Sequence, residues 1–230
     1  MKFYYDLHIH SDLSPCGNRD MTPNNIVNMA YIKGLSIISV TDHNTAGNVK
    51  PIIESGEKLD ITVIPGIEVT TREEVHVLCY FKHHSHAQQF GNIIYESLPD
   101  IKNNELIFGE QNIYNSEDEI VGKLDKLLIN ASKYTLDEIY NLVHDYHGII
   151  VPAHINKKSN SILGALGFIP LNLKIDFVEI FKTQAVDDKI IKKYKILYNS
   201  DAHQLVDISE PENCIELDKA SDIFEYLKIR

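Results

Sequence analysis

The sequence predicts an α/β fold in which strands alternate with helices around one barrel-like parallel sheet. Short apolar runs of strand length alternate with helical segments about seven times, and such a βα rhythm implies a parallel sheet with helices outside it. Histidines and carboxylates repeatedly fall just after the strand runs, the end of a barrel strand where functional groups sit. A length of 230 residues with 43% apolar content suits a single domain, 1–230, with one sizeable core.

Phe3, Tyr4, Tyr5 and Leu7 open the first strand. A side-chain period of two puts Asp6, His8 and His10 on one face and Leu7 and Ile9 on the other. Two imidazoles and a carboxylate on one face are half of a metal site, although an isolated His-x-His is more often a pair of satisfied polar residues. Residues 11–18, rich in Ser, Pro, Gly and Asn, read as a loop. Thr22 then caps a helix with Pro23 at its first position; Ile26, Val27, Met29 and Ala30 form its apolar stripe and Gly34 ends it. The run 35–40 has the character of a strand covered on both faces and leads into Thr41-Asp42-His43-Asn44. A helix over 49–58 precedes a strand over 61–64, which runs into Pro65-Gly66-Ile67-Glu68. Residues 74–81 read as a strand with His76 near its start, and His83, His84 and His86 as a solvated loop.

From about 87 to 134 the chain turns polar and rich in Asn and Glu, and it reads as a mainly helical insertion or lid. Ser116-Glu117-Asp118-Glu119 has the form of a capping box before a helix carrying Ile120, Leu124, Leu127 and Leu128. Thr135-Leu136-Asp137-Glu138 is a second capping box; its helix ends near Gly148 and carries His144 and His147 on its surface. A buried-type strand over 148–151 is followed by Pro152-Ala153-His154, and a short helix is expected over 159–166. The strand over 175–180, ending near Glu179 and Lys182, precedes a helix over 187–194. The strand over 196–198 leads to Asn199-Ser200-Asp201-Ala202-His203. A last strand over 213–217 and a helix over 220–228 close the chain.

His10, His43, Glu68, His154, Asp201 and His203 thus follow successive strands, and His76 lies within one, which places imidazoles and carboxylates around a single rim. Buried charges at that density must be paired or metallated, and this donor mix suits Zn, Mn or Fe. No apolar run approaches the ~18 residues of a membrane helix, no basic-then-apolar leader opens the chain, and Cys16, Cys79 and Cys214 have no disulfide spacing. A cytoplasmic protein without a membrane partner is therefore expected. The net charge of −11 argues against long duplex nucleic acid as a partner, because few phosphate contacts could be made outside the metal site; a small phosphorylated substrate remains compatible, since bound cations make a site locally positive. Oligomeric state is not readable.

The set Asp6-Leu7-His8-Ile9-His10, Thr41-Asp42-His43-Asn44, Pro65-Gly66-Ile67-Glu68 with His76, Pro152-Ala153-His154 and Ser200-Asp201-Ala202-His203 resembles the PHP (polymerase and histidinol phosphatase) family of metal-dependent phosphoesterases. The resemblance spans almost the whole chain apart from 87–134. It implies a distorted (β/α)7 TIM-like barrel and two or three divalent metal ions. By that resemblance His8, His10, Glu68 and Asp201 hold one metal, Glu68 bridges to a second held by His76 and His154, and His43 and His203 hold a third with one ligand from the first loop. Many relatives have Ser-Asp-Gly in that loop, whereas this chain reads Ser14-Pro15-Cys16-Gly17, leaving Cys16 and Asp12 as competing donors. Asp6 and Asp42 are placed to orient neighbouring imidazoles.

The expected chemistry is hydrolysis of a phosphoester by metal-activated hydroxide, with Glu68, Asp201, His203 and His43 as the catalytic groups. His203 or His43 assists proton transfer to the leaving oxygen, unless both coordinate metal and a bound water takes that role. Lys157, Lys158 and Lys182 follow strands and are candidates for a substrate phosphate. A nucleotide or short oligonucleotide is the leading substrate class; a histidinol-phosphate-type phosphatase and a catalytically silent metal-binding module are the competing readings.

Overall fold

In the computed structural model, which describes residues 1–228, the elements follow the expected order with two changes of kind. The strands are β1 (Lys2–Ile9), β2 (Ile37–Val40), β3 (Thr62–Val63), β4 (Gly66–Thr70), β5 (His76–Tyr80), β6 (Asn112–Tyr114), β7 (Ile120–Lys123), β8 (Ile149–Pro152), β9 (Phe177–Glu179), β10 (Lys195–Leu197) and β11 (Cys214–Glu216). The helices are α1 (Pro23–Ile32), α2 (Val49–Glu57), α3 (His84–Ser97), α4 (Glu105–Phe108), α5 (Leu136–Asp145), α6 (Ile162–Leu166), α7 (Asp188–Lys193) and α8 (Ile223–Leu227). None of the described helices is long and apolar enough to cross a membrane.

The fold is mixed α/β, and its strands form four separate sheets instead of one closed parallel ladder. β1, β2 and β3 are parallel neighbours, as are β9 and β10, but β11 runs antiparallel to β1, and β4, β5 and β8 are antiparallel throughout. The β4–β5 reversal has a local cause: Thr71 and Glu74 close a tight turn, with Thr71 N–H donating to Val75 O (2.9 Å), and so short a link allows only a hairpin. Two isolated parallel bridges join neighbouring sheets at the site, Ile9 with Ala202 and His43 with Glu68. Gly66 makes the second approach possible, because a Cβ there would lie 2.3 Å from Ser39 Oγ.

The β4–β5–β8 sheet separates two apolar cores. Ile67, Val69, Val77 and Cys79 face Phe90 and Ile94 of α3 and Ile139 and Val143 of α5. Leu78, Tyr80 and Val151 face inward and pack with Tyr5, Leu7, Ile37, Phe177 and Leu197. Alternation along each strand thus sends one set of side chains to the helices and the other to the interior.

The second change of kind is the 87–134 segment. Only α3 and the single turn α4 are helical there, and the expected helix after residue 116 is the β6–β7 hairpin. Asn115 Oδ1 accepts from the backbone N–H groups of Glu117 and Glu119, and Asp118 adopts a left-handed φ of 58°, so the four-residue box turns the chain back instead of capping a helix. The β-branched pair Ile120-Val121 then suits a strand. The same Asp118 caps α1 from a distance, accepting from Thr22 Oγ1 (2.6 Å) and Asn24 N–H (3.0 Å), which is why Thr22 makes no cap bond of its own. His84 and His86 lie in the first turn of α3, with His83 at its N-cap, and not in a loop. The Thr135–Glu138 capping box forms as expected.

Candidate metal centre

The strands bring seven of the expected residues together around an eighth, the carboxylate of Glu68. Glu68, in β4, is 1% exposed. Its oxygens lie 2.9 Å from His76 Nδ1, 3.2 Å from His154 Nε2, 3.2 Å from His43 Nδ1, 3.3 Å from His10 Nε2 and 3.4 Å from His8 Nε2. Asp201, after β10, reaches His8 Nε2 (3.3 Å) and His10 Nε2 (3.2 Å), and His203 stacks on His10 with ring centroids 4.5 Å apart. Three groupings have donor atoms close enough for a shared ion: His8, His10 and Asp201; His43, Glu68 and His76; and His10, Cys16, His43 and His203.

The hydrogen bonds on the far sides of the rings decide what faces inward. His8 Nδ1 donates to Glu179 (3.0 Å), which leaves His8 Nε2 with a lone pair aimed into the cluster. His10 Nδ1 meets Ser14 Oγ (3.1 Å), whose own proton goes to Asp42 Oδ1 (2.7 Å), so His10 Nε2 is likewise turned inward as an acceptor. These two Nε2 atoms stand 3.1 Å apart beside the oxygens of Glu68 and Asp201. His203 Nδ1 donates to the Asp201 carbonyl (2.7 Å), freeing its Nε2, and the buried Nδ1 atoms of His43 and His154 have no hydrogen-bond partner. Facing lone pairs, anionic oxygens and orphaned ring nitrogens in one buried space fit divalent cations.

With no cation bound, the carboxylates instead hold protons on His8 and His10, and a cation must displace these to claim the inward Nε2 lone pairs. Burial alone would lower the pKa of His8, yet Glu179, Asp201 and Glu68 raise it well above the ordinary value; His10, raised by Asp201 and Glu68 against the same opposition, reaches about 9. Burial would push Glu68 and Asp201 up, but the surrounding imidazoles hold both well below the usual carboxylate range. His203 is lowered to about 4 by burial and by His10, and His43 is lowered chiefly by burial. Several of the strand-end residues occupy left-handed backbone conformations, among them Asn44 (φ 56°), His154 (φ 28°) and Asp201 (φ 54°), the local strain that clusters where side chains must be aimed.

The other expected residues divide. Cys16 lines the cleft with His43, His76, His154, Lys157 and His203. Asp12 points away, its carboxylate accepting from Asn112 Nδ2 (2.7 Å) and Tyr114 Oη (2.5 Å) of the hairpin. Asp42 accepts from Ser11 N–H and Oγ and from Ser14 Oγ, and so positions His10 through Ser14. Asp6 touches no imidazole; it accepts from Ser200 N–H (3.1 Å) and Ser209 N–H (2.9 Å) and holds the Asp201 loop. Lys157 Nζ lies 2.5 Å from Asp201 Oδ2 and 4.6 Å from the centre of the Phe181 ring. Lys158 is exposed, and Lys182, also exposed, pairs with Glu212 (2.9 Å) outside the cleft.

Sequence reasoning passed over Glu179 and Ser14. Glu179, the last residue of β9, accepts from His8 Nδ1, from His154 N–H (2.8 Å) and from Asn199 Nδ2 (2.7 Å). Its signal was the one used for its neighbours, a carboxylate at a strand end. Ser14, in a loop of unremarkable composition, had none.

The PHP domain family matches residues 6–201, most of the chain and all of the expected metal-site residues named above except His203. The chain belongs to the PHP domain family. A 5'-3' exoribonuclease of Haemophilus influenzae is 30% identical over 70 residues, a match covering 30% of this chain and 24% of that protein. The lesion-specific endonuclease Q of Pyrococcus furiosus shares the fold at 23% identity (TM-score 0.62, covering 89% of this chain and 49% of that one). An inferred metal-dependent phosphoesterase of Bifidobacterium adolescentis shares it at 17% identity (TM-score 0.66, covering 98% and 96%). The PHP chain therefore spans about a quarter of the exoribonuclease and about half of endonuclease Q.

These neighbours correct one expectation. A further endonuclease Q structure (22% identity, TM-score 0.62, 89% of this chain and 50% of that one) holds a 27-mer duplex substrate with an abasic lesion at its active site. Long duplex nucleic acid is thus not excluded as a partner of this fold. The reason is local: net charge is a property of the whole surface, whereas a metal-filled cleft sets its own field.

Proposed function

We propose that this PHP protein is a metal-dependent hydrolase of phosphoester bonds acting on a nucleotide or nucleic-acid phosphate. The observation that carries the reading is the convergence of five imidazoles within 3.4 Å of the buried Glu68. His8, His10, Glu68 and Asp201 would hold one ion, Glu68, His76 and His154 a second, and His43 and His203 a third with the first loop. The discontinuous sheets linked by the Ile9–Ala202 and His43–Glu68 bridges support reading the strands as staves of a distorted barrel whose ligand-bearing end is this cleft.

When bound, Zn, Mn or Fe ions would supply a nucleophilic hydroxide near neutral pH and neutralise charge on the phosphoryl oxygens. The protein's own groups set the geometry around that chemistry. Glu179, Ser14 and Asp42 hold His8 and His10 in the tautomers that turn Nε2 inward. His203 and His43, both held neutral, serve as ligands or proton acceptors and not as standing acids. Lys157, at the cleft wall beside Asp201, is placed to take a phosphate oxygen when the ions claim Asp201.

Phosphate or nucleotide release from aryl phosphates, nucleotides and single- and double-stranded oligonucleotides, with Mn or Zn added, tests the reading. The parent is expected to bind metal and turn over at least one of these. His8→Ala and Asp201→Ala should lose both properties. Unchanged metal content and turnover in both variants would sink the assignment.

A further inference from the structure

The first loop offers a sulfur to the cluster. Cys16 Sγ groups with one ring nitrogen each of His10, His43 and His203, all four donor atoms lying within 4.8 Å of one another. The thiol is held there by its backbone: Gly17 N–H donates to Ser14 O (2.8 Å), and Asn18 N–H donates to the carbonyl of His203 (2.9 Å), tying this loop to the His203 loop. A Cβ on Gly17 would lie 2.1 Å from the Ser11 carbonyl oxygen, so the turn admits only glycine. Asp12, the competing donor of the loop, is already taken by Asn112 and Tyr114.

His43 is the independent mark of a ligand. It is 6% exposed, and its Nδ1 has no hydrogen-bond partner although Glu68 Oε2 is 3.2 Å away. A buried ring nitrogen left without a partner, on a residue that groups both with Cys16 and with Glu68 and His76, calls for a cation to fill it. His203, opposite, has its Nδ1 committed to a carbonyl and its Nε2 free.

We propose that Cys16 binds a third cation as a thiolate together with His43 and His203, and that this sulfur makes the position select Zn²⁺, Co²⁺ or Fe²⁺ over Mg²⁺ or Mn²⁺. The inference rests on the metal-dependent reading above and adds to it a donor and a selectivity. Soft thiolate ligands favour borderline and soft ions, whereas oxygen donors suit Mg and Mn. On binding, the Sγ–H bond breaks and an Sγ–metal bond forms; the proton leaves to bulk water, which reaches Cys16 because the residue is solvent-accessible. His10 lies between this position and the His8–Asp201 position, as a neighbour common to both.

The test is a Co²⁺ titration of the metal-stripped full chain, followed by absorption spectroscopy and metal analysis. A sulfur-to-cobalt charge-transfer band is expected in the parent, in Cys214→Ser and in Asp12→Asn, and its loss in Cys16→Ser and Cys16→Asp. Affinity for the last ion should fall roughly 10–100-fold or more in Cys16→Ser, since losing a direct donor costs at least what losing an outer hydrogen bond costs. Cys16→Asp should restore that ion but lose the preference for Zn over Mn, which also separates a missing ligand from a misfolded loop. A band that survives Cys16→Ser, Co²⁺ uptake by the parent without a band, or an unchanged Zn-over-Mn preference in Cys16→Asp would each overturn the proposal. Failure of phosphoester hydrolysis with the band intact counts against the hydrolase reading alone. Hydrolysis without the band counts against the thiolate alone.

Discussion

His10 and His86 place the same imidazole at two different ends of regular structure. His10 follows β1, is fully buried, and stands within 3.3 Å of both Glu68 and Asp201. His86 lies in the first turn of α3, partly exposed, and its ring meets those of His83 (5.6 Å) and His147 (5.7 Å). The division runs through all eleven histidines of the chain. His8, His43, His76, His154 and His203 go with His10, whereas His83, His84, His144 and His147 go with His86 and, among the described residues, have no Asp or Glu within ion-pair distance. In sequence the His83-His84-Ser85-His86 cluster is the denser. A candidate ligand set is therefore made by strands converging on buried carboxylates, not by histidines crowded along the chain.

The largest expected effect comes from removing the carboxylate that separates the two groups. Glu68→Gln should reduce bound metal to background by elemental analysis and abolish phosphoester hydrolysis. A variant that kept both would break the comparison at its centre. The metal-free variant should also unfold at lower denaturant, by about 3–5 kcal/mol, because removing one partner of a buried charge network leaves the others uncompensated.

Protons sharpen the contrast next. His10 is held protonated up to about pH 9 by Asp201 and Glu68. Since a raised pKa means the proton is still present at neutral pH, cation binding must expel it, and affinity should rise about tenfold per pH unit for each proton displaced until pH reaches about 9. Calorimetric titration with Zn²⁺ in buffers of different ionisation enthalpy should register net proton release at pH 7.5. Affinity that did not change between pH 6.5 and 8.5 would contradict the arrangement.

A smaller effect is expected at Tyr114→Phe, which removes one of two hydrogen bonds to the Asp12 carboxylate. Stability should drop by about 1–3 kcal/mol in chemical denaturation while the metal count stays the same. A lost ion would mean that Asp12 belongs to the centre after all. The smallest effect is expected at His86→Ala and His147→Ala. Exposed substitutions of this kind stay within about 0.5 kcal/mol, and metal content should not move; any ion lost there would erase the division between the two sets.

Much of this candidate centre was legible in the sequence because most of its donor residues sit at fixed places relative to local structure. A strand of four to eight residues can be recognised from its own apolar run, and the residue that ends it is then named without knowledge of any partner. His10, His43, His154, Asp201 and His203 were found that way; Glu68 was expected just after the strand over 61–64, whereas it lies inside the next strand, β4. Glu179 obeys the same rule, yet nothing local announces that its partner is His8, 171 positions earlier. Ser14 is further from view: its hydroxyl matters only because His10 and Asp42 flank it in space.

The misreadings have the same origin. Ser116-Glu117-Asp118-Glu119 satisfies the pattern of a helix start, but Asn115 takes the backbone N–H groups a helix would need, and Asp118 spends its carboxylate on α1 instead. Strand direction is equally invisible in a single run: β4, β5 and β8 have the apolar content of parallel strands because both of their faces are covered, while the tight turn at Thr71–Glu74 makes β4 and β5 antiparallel. By itself the sequence determined which residues are strand ends, which of those carry donors, and so that a metal centre should exist. Tertiary structure alone decided which ring nitrogen faces inward, that Asp12 turns to the hairpin while Cys16 turns to the cluster, and that five imidazoles meet at one carboxylate. Propensity and periodicity act over a few residues, whereas a tautomer, a hydrogen bond or a shared ion is settled between groups far apart in the chain.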